Sequence, residues 1–158
     1  PRCLGAGHGG GAGRADQTPA PHPRERRQLL DEALPYIDLV FANEEEAFEF
    51  SGKSNRNDAF DILNNAVPNV VLTLGADGAR ASIDNQAAEV PAFRTTPIDT
   101  NGAGDAFAAG ILFGLESGLT LSGSLCGANY LAMKLVGQPG ARLSGAVVDL
   151  WREAFSFT

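Results

Sequence analysis

Short apolar runs alternate with amphipathic stretches through most of this chain. The runs IDLVFA, which ends just before Asn43, and NVVLTL over residues 69–74 have the apolar composition that is typical of buried strands. The stretches RERRQLLDEAL, EEEAFEF and DAFDILNNA carry apolar residues at helical spacing, and Ser51-Gly52 is a typical helix stop. This alternation predicts a layered α/β fold with a mainly parallel sheet flanked by helices.

The second half of the pattern predicts one strand pair and three further helices. The runs ARASID and AAEVPAF follow a turn over residues 75–78 and are typical of an antiparallel pair. Helical spacing then returns over about 103–116, 121–136 and 145–155. Ligands of open α/β sheets bind at the carboxyl ends of strands, where Asn43, Thr73 and Gly75 fall.

The segment 1–23 lacks any such periodicity and is rich in Gly, Ala and Pro. A segment of this composition cannot bury enough apolar surface to offset the entropy lost on ordering, so residues 1–23 are predicted to be a disordered tail. His8 and His22 have no Cys or carboxylate at metal-ligand spacing, which favours solvated side chains over a metal site. Residues 24–158 are predicted to form one domain.

Charge is divided unevenly along the chain, whose formal net charge is −7. Residues 1–27 carry five basic and two acidic side chains, whereas residues 28–158 carry seven basic and seventeen acidic ones. An acidic body argues against nucleic acid or an anionic membrane as the main partner. A phosphate ligand would then be held by backbone N–H groups and Mg²⁺ rather than by a lysine cluster.

The cysteine content and the lack of long apolar runs indicate a cytoplasmic protein. Cys3 and Cys126 lie far apart in unlike surroundings, so no disulfide framework is expected, and Cys126 falls in an apolar pattern typical of a buried hydrophobe. No apolar run approaches the roughly 20 residues that span a bilayer, and the amino terminus has no hydrophobic signal region.

The stretch Asp99-Thr100-Asn101-Gly102-Ala103-Gly104-Asp105 carries the most chemistry, because an apolar helix follows it directly. Glycine permits a sharp turn and close backbone approach, and free N–H groups at a helix start favour an anion. Asp105 beside such an anion site is a candidate base for a hydroxyl that attacks phosphorus. The alternative is a flexible loop followed by a helix that Asp105 merely caps.

The pattern DTxGAGD in this stretch resembles the signature of the ribokinase/PfkB family of sugar and nucleoside kinases. Three more segments resemble family motifs in the same order. Asn43-Glu44-Glu45-Glu46 resembles the NxxE motif that organises Mg²⁺ and phosphate through water, although an acidic first helical turn would look the same. Thr73-Leu74-Gly75 with Gly78 resembles the strand end and turn beside the ATP phosphates, although a plain hairpin fits equally.

The fourth segment is Gly127-Ala128-Asn129-Tyr130 followed by QPGARL, which resembles the helix and loop that flank the adenine. An amphipathic helix with an exposed Asn129 is the alternative. The resemblance covers roughly residues 35–155 and is closest to adenosine-kinase-like and related sugar kinases. Asp99 and Asn101, with Gly140 and Ser144, match positions that hold a monovalent cation such as K⁺ in several members, whereas Asp99 alone is also typical of a loop cap.

The resemblance implies transfer of a phosphoryl group from ATP to a hydroxyl of a small sugar or nucleoside. Asp105 would be the base, the N–H groups of Gly102, Ala103 and Gly104 the anion hole, and Glu46 a Mg²⁺ organiser through water. The residues implied to bind ATP are Asn43, Thr73, Gly75, Gly78 and Asn129. The family also allows a homodimer of the complete enzyme.

Kinases of this family are much longer, and their amino-terminal half supplies the acceptor-binding carboxylate, a Gly-Gly-Asn motif and a lid. None of these is found in this sequence, so the resemblance implies a ribokinase-like nucleotide-binding and catalytic half that is incomplete on its amino-terminal side. The alternative is an inactive truncated remnant that at most binds nucleotide. A Rossmann dehydrogenase fits poorly, because Gly102 and Gly104 lack the third glycine, and GK[ST] is absent.

Overall fold

A computed structural model describes residues 3–4 and 23–155, with side chains for residues 28–155. Two single 3₁₀ turns lie at Leu34–Tyr36 and Gly75–Asp77. The strands and helices in chain order are β1 (Cys3–Leu4), α1 (Pro23–Ala33), β2 (Leu39–Asn43), α2 (Glu44–Ser51), α3 (Arg56–Ala66), β3 (Val70–Thr73), β4 (Ala79–Ile83), β5 (Gln86–Val90), α4 (Ala103–Glu116), α5 (Leu121–Val136) and α6 (Val147–Ala154).

The five described strands form one sheet in the order β1-β2-β3-β4-β5. The first three strands are mutually parallel, whereas β3–β4 and β4–β5 are antiparallel, so the layered α/β class is confirmed and the sheet is mixed. In the β2–β3 register Asn43 lies opposite Thr73, so two predicted site residues lie side by side at the carboxyl ends of these strands. The predicted antiparallel pair is confirmed as β4 and β5.

Strand β1 falls within the segment that composition predicts to be a disordered tail. Its two residues pair with Leu39 and Val40 at the edge of the sheet. The rest of the predicted tail up to residue 22, with His8 and His22, lies outside the described residues.

Strand β3 is buried on both faces, which explains its continuous apolar sequence. Val70 and Leu72 pack into one core with α2 and α3, whereas Val71 packs into a second core with α4 and α5. Helices therefore cover both faces of the sheet. No helix in the described ranges combines the length and apolar character needed to cross a bilayer.

A glycine sets the end of α2, and an asparagine cap sets the start of α3. Helix α2 ends at Gly52, whose φ of 68° is the left-handed conformation that glycine tolerates. Helix α3 begins two residues earlier than its apolar pattern, because the Asn55 side chain accepts hydrogen bonds from Asn57 N and Asp58 N.

Helices α4 and α5 approach closely through small residues. A Cβ atom on Gly110 would lie 2.8 Å from the Cα atom of Ala128, and one on Gly114 would lie 2.6 Å from Oγ of Ser124. Both glycines are buried. This contact fixes the position of α4, and hence of its first turn, against the second core.

Candidate active site

A cleft of about 610 Å³ opens where β3 ends, between the 75–78 turn, the segment after β5, the start of α4 and one face of α5. Six residues predicted to bind ATP or form the anion hole line this cleft: Thr73, Gly75, Gly78, Ala103, Gly104 and Asn129. Its other lining residues are mostly apolar and include Phe93, Phe107, Met133 and Val136. The structure thus brings together segments that are far apart in the sequence.

The start of α4 presents unpaired N–H groups. Gly102 is the N-cap residue with φ of 77°, and its carbonyl accepts from Ala106 N at 2.9 Å. The N–H group of Ala103 donates to Thr100 O at 3.3 Å. Within the described part of the chain, the N–H groups of Gly104 and Asp105 have no hydrogen-bond acceptor. A Cβ atom on Gly104 would meet no atom within 4 Å, so an anion has open access to this turn.

Asp105 is exposed and lines a second cavity of about 460 Å³ instead of the first cleft. Gly102, Ala106 and Arg142 line this cavity with it. The alternative that Asp105 caps the helix is wrong, because Gly102 is the N-cap and no side chain caps α4. The first turn of α4 therefore separates two cavities, with the carboxylate of Asp105 on one side and Gly104 on the other.

The loop before α4 is fastened by Asp99. Its Oδ1 accepts from Asn101 N at 2.9 Å and its Oδ2 accepts from Gly140 N at 3.0 Å. These hydrogen bonds, first that from Asn101 and then that from Gly140, lower the pKa of Asp99. The loop is also held by Ile98 N, which donates to Val136 O at 2.7 Å. Asp99 thus adopts the predicted alternative, a loop cap.

Asn43 and Glu46 form a reciprocal capping box at the start of α2. Asn43 N donates to Oε2 of Glu46 at 2.9 Å, and Glu46 N donates to Oδ1 of Asn43 at 2.9 Å. Neither residue lines the 610 Å³ cleft, although Asn43 lies opposite Thr73 in the sheet. The acidic-first-turn alternative describes this geometry, and the roles of both residues toward Mg²⁺ and ATP stay predictions.

Asn129 lies on the cleft wall and is only 7% exposed, so the exposed-Asn alternative is wrong. Its Nδ2 donates to Pro91 O at 3.1 Å. This bond fixes the amide so that Oδ1 is the atom available to a ligand. Burial of a side chain against a segment distant in the sequence is a tertiary effect that the helical pattern could not reveal.

Sequence reasoning missed the segment after β5. Phe93 and Arg94 both line the cleft, and Arg94 is the one charged side chain among its described lining residues. Phe93 also contacts the ring of Tyr130 edge to face, with centroids 5.3 Å apart. The aromatic and basic pair Phe93-Arg94 just ahead of the DTNGAGD loop was the available signal.

The described residues offer too few clustered ligand side chains to hold a metal ion without help from a bound molecule. Within residues 3–4 and 23–155, no group of three or more His, Cys, Asp or Glu side chains is arranged to hold a metal ion. A divalent ion at this site would need oxygen ligands from a bound phosphate and from water.

An α/β sheet with a cleft at its strand ends, a glycine-rich helix start with free N–H groups and a nearby carboxylate is an arrangement typical of phosphate-binding proteins. The chain matches the model of the pfkB family carbohydrate kinases over residues 14–146. It belongs to that family.

Three relatives illustrate the relationship. The chain is 34% identical over 126 residues to an ATP-dependent 6-phosphofructokinase of Thermoanaerobacterium thermosaccharolyticum, an alignment that covers 78% of this chain and 37% of the relative. It superposes on adenosine kinase from Sinorhizobium meliloti with a TM-score of 0.76 and 29% identity, over 83% of this chain and 41% of the other.

The third relative is aminoimidazole riboside kinase from Salmonella enterica, crystallised with aminoimidazole riboside and an ATP analogue. The TM-score is 0.70 and the identity 26%, over 83% of this chain and 48% of that one. The chain therefore spans less than half the length of each relative.

Proposed function

We propose that this chain is the nucleotide-binding and catalytic part of a kinase that transfers a phosphoryl group from ATP to a hydroxyl of a sugar or nucleoside. The observation that carries the proposal is the first turn of α4, whose free N–H groups lie between two cavities. A phosphoryl group passing between a donor and an acceptor needs such a position, with positive backbone dipoles at its oxygens. Family membership supports the same activity.

The 610 Å³ cleft is suited to the donor nucleotide. Apolar side chains such as Phe93 and Met133 offer contact surface for a base. The fixed amide of Asn129 presents Oδ1, an acceptor that pairs with the exocyclic amino group of adenine. Thr73, Gly75 and Gly78 line the same cleft as that amide and the start of α4, and they would contact the phosphates.

Asp105 is suited to the acceptor side. An acceptor hydroxyl in the second cavity would give its proton to the carboxylate as its oxygen bonds to the γ-phosphorus. The bond from that phosphorus to the bridging oxygen breaks, and ADP leaves. The free N–H groups of Gly104 and Asp105, together with that of Gly102, would stabilise charge on the transferred group, whereas the N–H group of Ala103 already donates to Thr100 O.

Mg²⁺ fits the site through water rather than by direct coordination. Oε2 of Glu46 already accepts from Asn43 N, which leaves Oε1 to accept from metal-bound water. Bound Mg²⁺ would offset charge on the ATP phosphates. A monovalent cation such as K⁺ remains a proposal at Asp99: each of its oxygens accepts one N–H group and keeps a lone pair for a cation, and no step depends on one. A cytoplasmic setting, expected from the cysteine content, and a homodimeric complete enzyme, implied by the family resemblance, both belong to the proposal.

The proposal is tested with the complete product of the gene and with this 158-residue chain in parallel. Calorimetry with Mg·ATP should show binding by both, and the complete product should phosphorylate at least one sugar or nucleoside in a panel. The shorter chain should transfer little phosphate, because acceptor positioning contributes up to ~7–11 kcal/mol to such reactions. Absence of ATP binding by both proteins would overturn the proposal and favour an inactive remnant.

Glu46→Gln should raise the Mg²⁺ concentration that the complete product needs for half-maximal activity by about tenfold, since outer-sphere partners tune metal affinity on this scale. Gln at this position preserves the capping box, because its amide oxygen also accepts from Asn43 N. Titration of activity with Mg²⁺ at saturating ATP measures the effect. Glu45→Gln, an exposed neighbour in the same turn, is the matched control. An unchanged Mg²⁺ requirement would leave Glu46 as a helix cap only.

A further inference from the structure

Arg56, the first residue of α3, joins two elements at the edge of the cleft. Its Nε donates to Oε1 of Glu44 at 2.7 Å, and its Nη2 donates to Oδ2 of Asp77 at 2.9 Å. Glu44 is the first residue of α2, and Asp77 lies in the 75–78 turn. One guanidinium thus bridges two carboxylates that belong to separate elements of the fold.

Each carboxylate is next in sequence to a residue that the family resemblance implies to bind ATP, Glu44 to Asn43 and Asp77 to Gly78. Asp77 stands between Ala76 and Gly78, which line the cleft. Glu44 directly follows Asn43, whose strand partner Thr73 also lines it. Without a cation, Glu44 and Asp77 would repel the triphosphate of a bound nucleotide.

The carboxylates around Arg56 would repel a bound anion unless a positive charge offset them. The first turn of α2 contains three glutamates, and Asp77 adds a fourth carboxylate. Hydrogen bonds to Glu44 and then to Asp77 raise the pKa of Arg56, so its positive charge persists at any physiological pH. The side chains of Arg56 and Glu44 are each 35% exposed, and ion pairs this exposed contribute little to folding stability.

We propose that Arg56 is a positioning residue for the nucleotide: it cancels the charges of Glu44 and Asp77 and holds the 75–78 turn against the phosphates. The inference rests on the proposed function, because it requires that the cleft bind a triphosphate. Arg56 lies outside the segments that resemble family motifs, and it does not line the cleft.

The test is the affinity of Arg56→Met for Mg·ATP, measured by calorimetry on the complete product of the gene. Removing the cation should weaken binding about three- to tenfold at low salt, with a smaller loss at about 0.5 M salt because added ions screen the exposed carboxylates. The turnover number at saturating ATP should change little. Arg56→Met/Asp77→Asn should recover part of the affinity, since one repelling charge is gone.

Arg80→Met is the matched control. Arg80 also joins the sheet to α3, where its Nη1 donates to Oδ1 of Asn57 at 2.8 Å and its guanidinium lies 4.1 Å from the Phe60 ring centroid. This variant removes a guanidinium and its contacts to α3 at a residue that does not line the cleft, so its ATP affinity should match wild type.

Several results would overturn the assignment of Arg56. These are unchanged ATP affinity in Arg56→Met, an equal loss in Arg80→Met, or no recovery when Asp77→Asn is added. In each case wild-type ATP binding persists and the proposed function stands. Absence of ATP binding by the wild type would overturn both the proposed function and this inference.

Discussion

Replacing Asp105 with Asn should lower turnover about 10²–10⁴-fold in the complete product of the gene, while ATP affinity stays nearly unchanged. Asn retains the size and shape of the side chain but cannot accept the hydroxyl proton. The Asp105 side chain is exposed and makes no hydrogen bond or ion pair within the described residues, so the substitution breaks no described side-chain contact. Steady-state kinetics at saturating Mg·ATP, with separate calorimetry of ATP binding, measure both effects.

The control for this variant is Glu116→Gln, which removes an exposed carboxylate from the opposite end of the same helix. It should leave turnover near wild type. Because Gly102 rather than Asp105 caps α4, loss of a cap cannot account for a slow Asp105→Asn enzyme. Near-normal turnover in Asp105→Asn would contradict its assignment as the base.

Gly104→Val should abolish binding of the ATP phosphates at concentrations that saturate the wild-type protein. The structure has open space where a Cβ atom would lie on Gly104, and Gly104 lines the cleft. The added side chain would therefore occupy the route by which an anion reaches the N–H groups of the first turn. Calorimetry with Mg·ATP measures the loss.

The same open space makes the variant interpretable, because a Cβ atom at position 104 has no atom within 4 Å outside its own turn, and valine favours a helix at least as well as glycine. Ala109→Val adds a branched side chain at an exposed position of α4 outside the cleft, and it should bind ATP normally. Thermal unfolding of both variants checks that they fold. Retained ATP affinity in a folded Gly104→Val protein would rule out the anion site at this turn.

The local pattern of apolar and polar residues was sufficient to predict most of the strands and helices. Strand β3 was predictable because burial on both faces demands an unbroken apolar run, and the end of α2 was predictable because Gly52 adopts a left-handed conformation. The limits that helical spacing predicts for α4 and α5 match the observed limits to the residue. The pairing of β1 with β2 had no signal, because so short a strand carries no period.

The candidate site was predictable as a set of segments but not as a geometry. Motif order indicated which loops meet, and six of the predicted residues line one cleft. Contacts between distant segments could not be inferred: Asn129 is buried by Pro91, and Arg56 reaches both Glu44 and Asp77. The placement of Asp105 in a separate cavity depends on the direction in which α4 leaves its cap.

The close contact between α4 and α5 has a consequence for how related sequences can diverge. Gly110 meets Ala128 with no room for another carbon atom, and a shift of α4 by even part of a side-chain width would move its first turn relative to the cleft. Because the nearest atom is the backbone Cα of Ala128, a smaller residue at position 128 could not make room for a side chain at position 110. Position 110 should therefore remain glycine across the family, although it lines neither the cleft nor the second cavity.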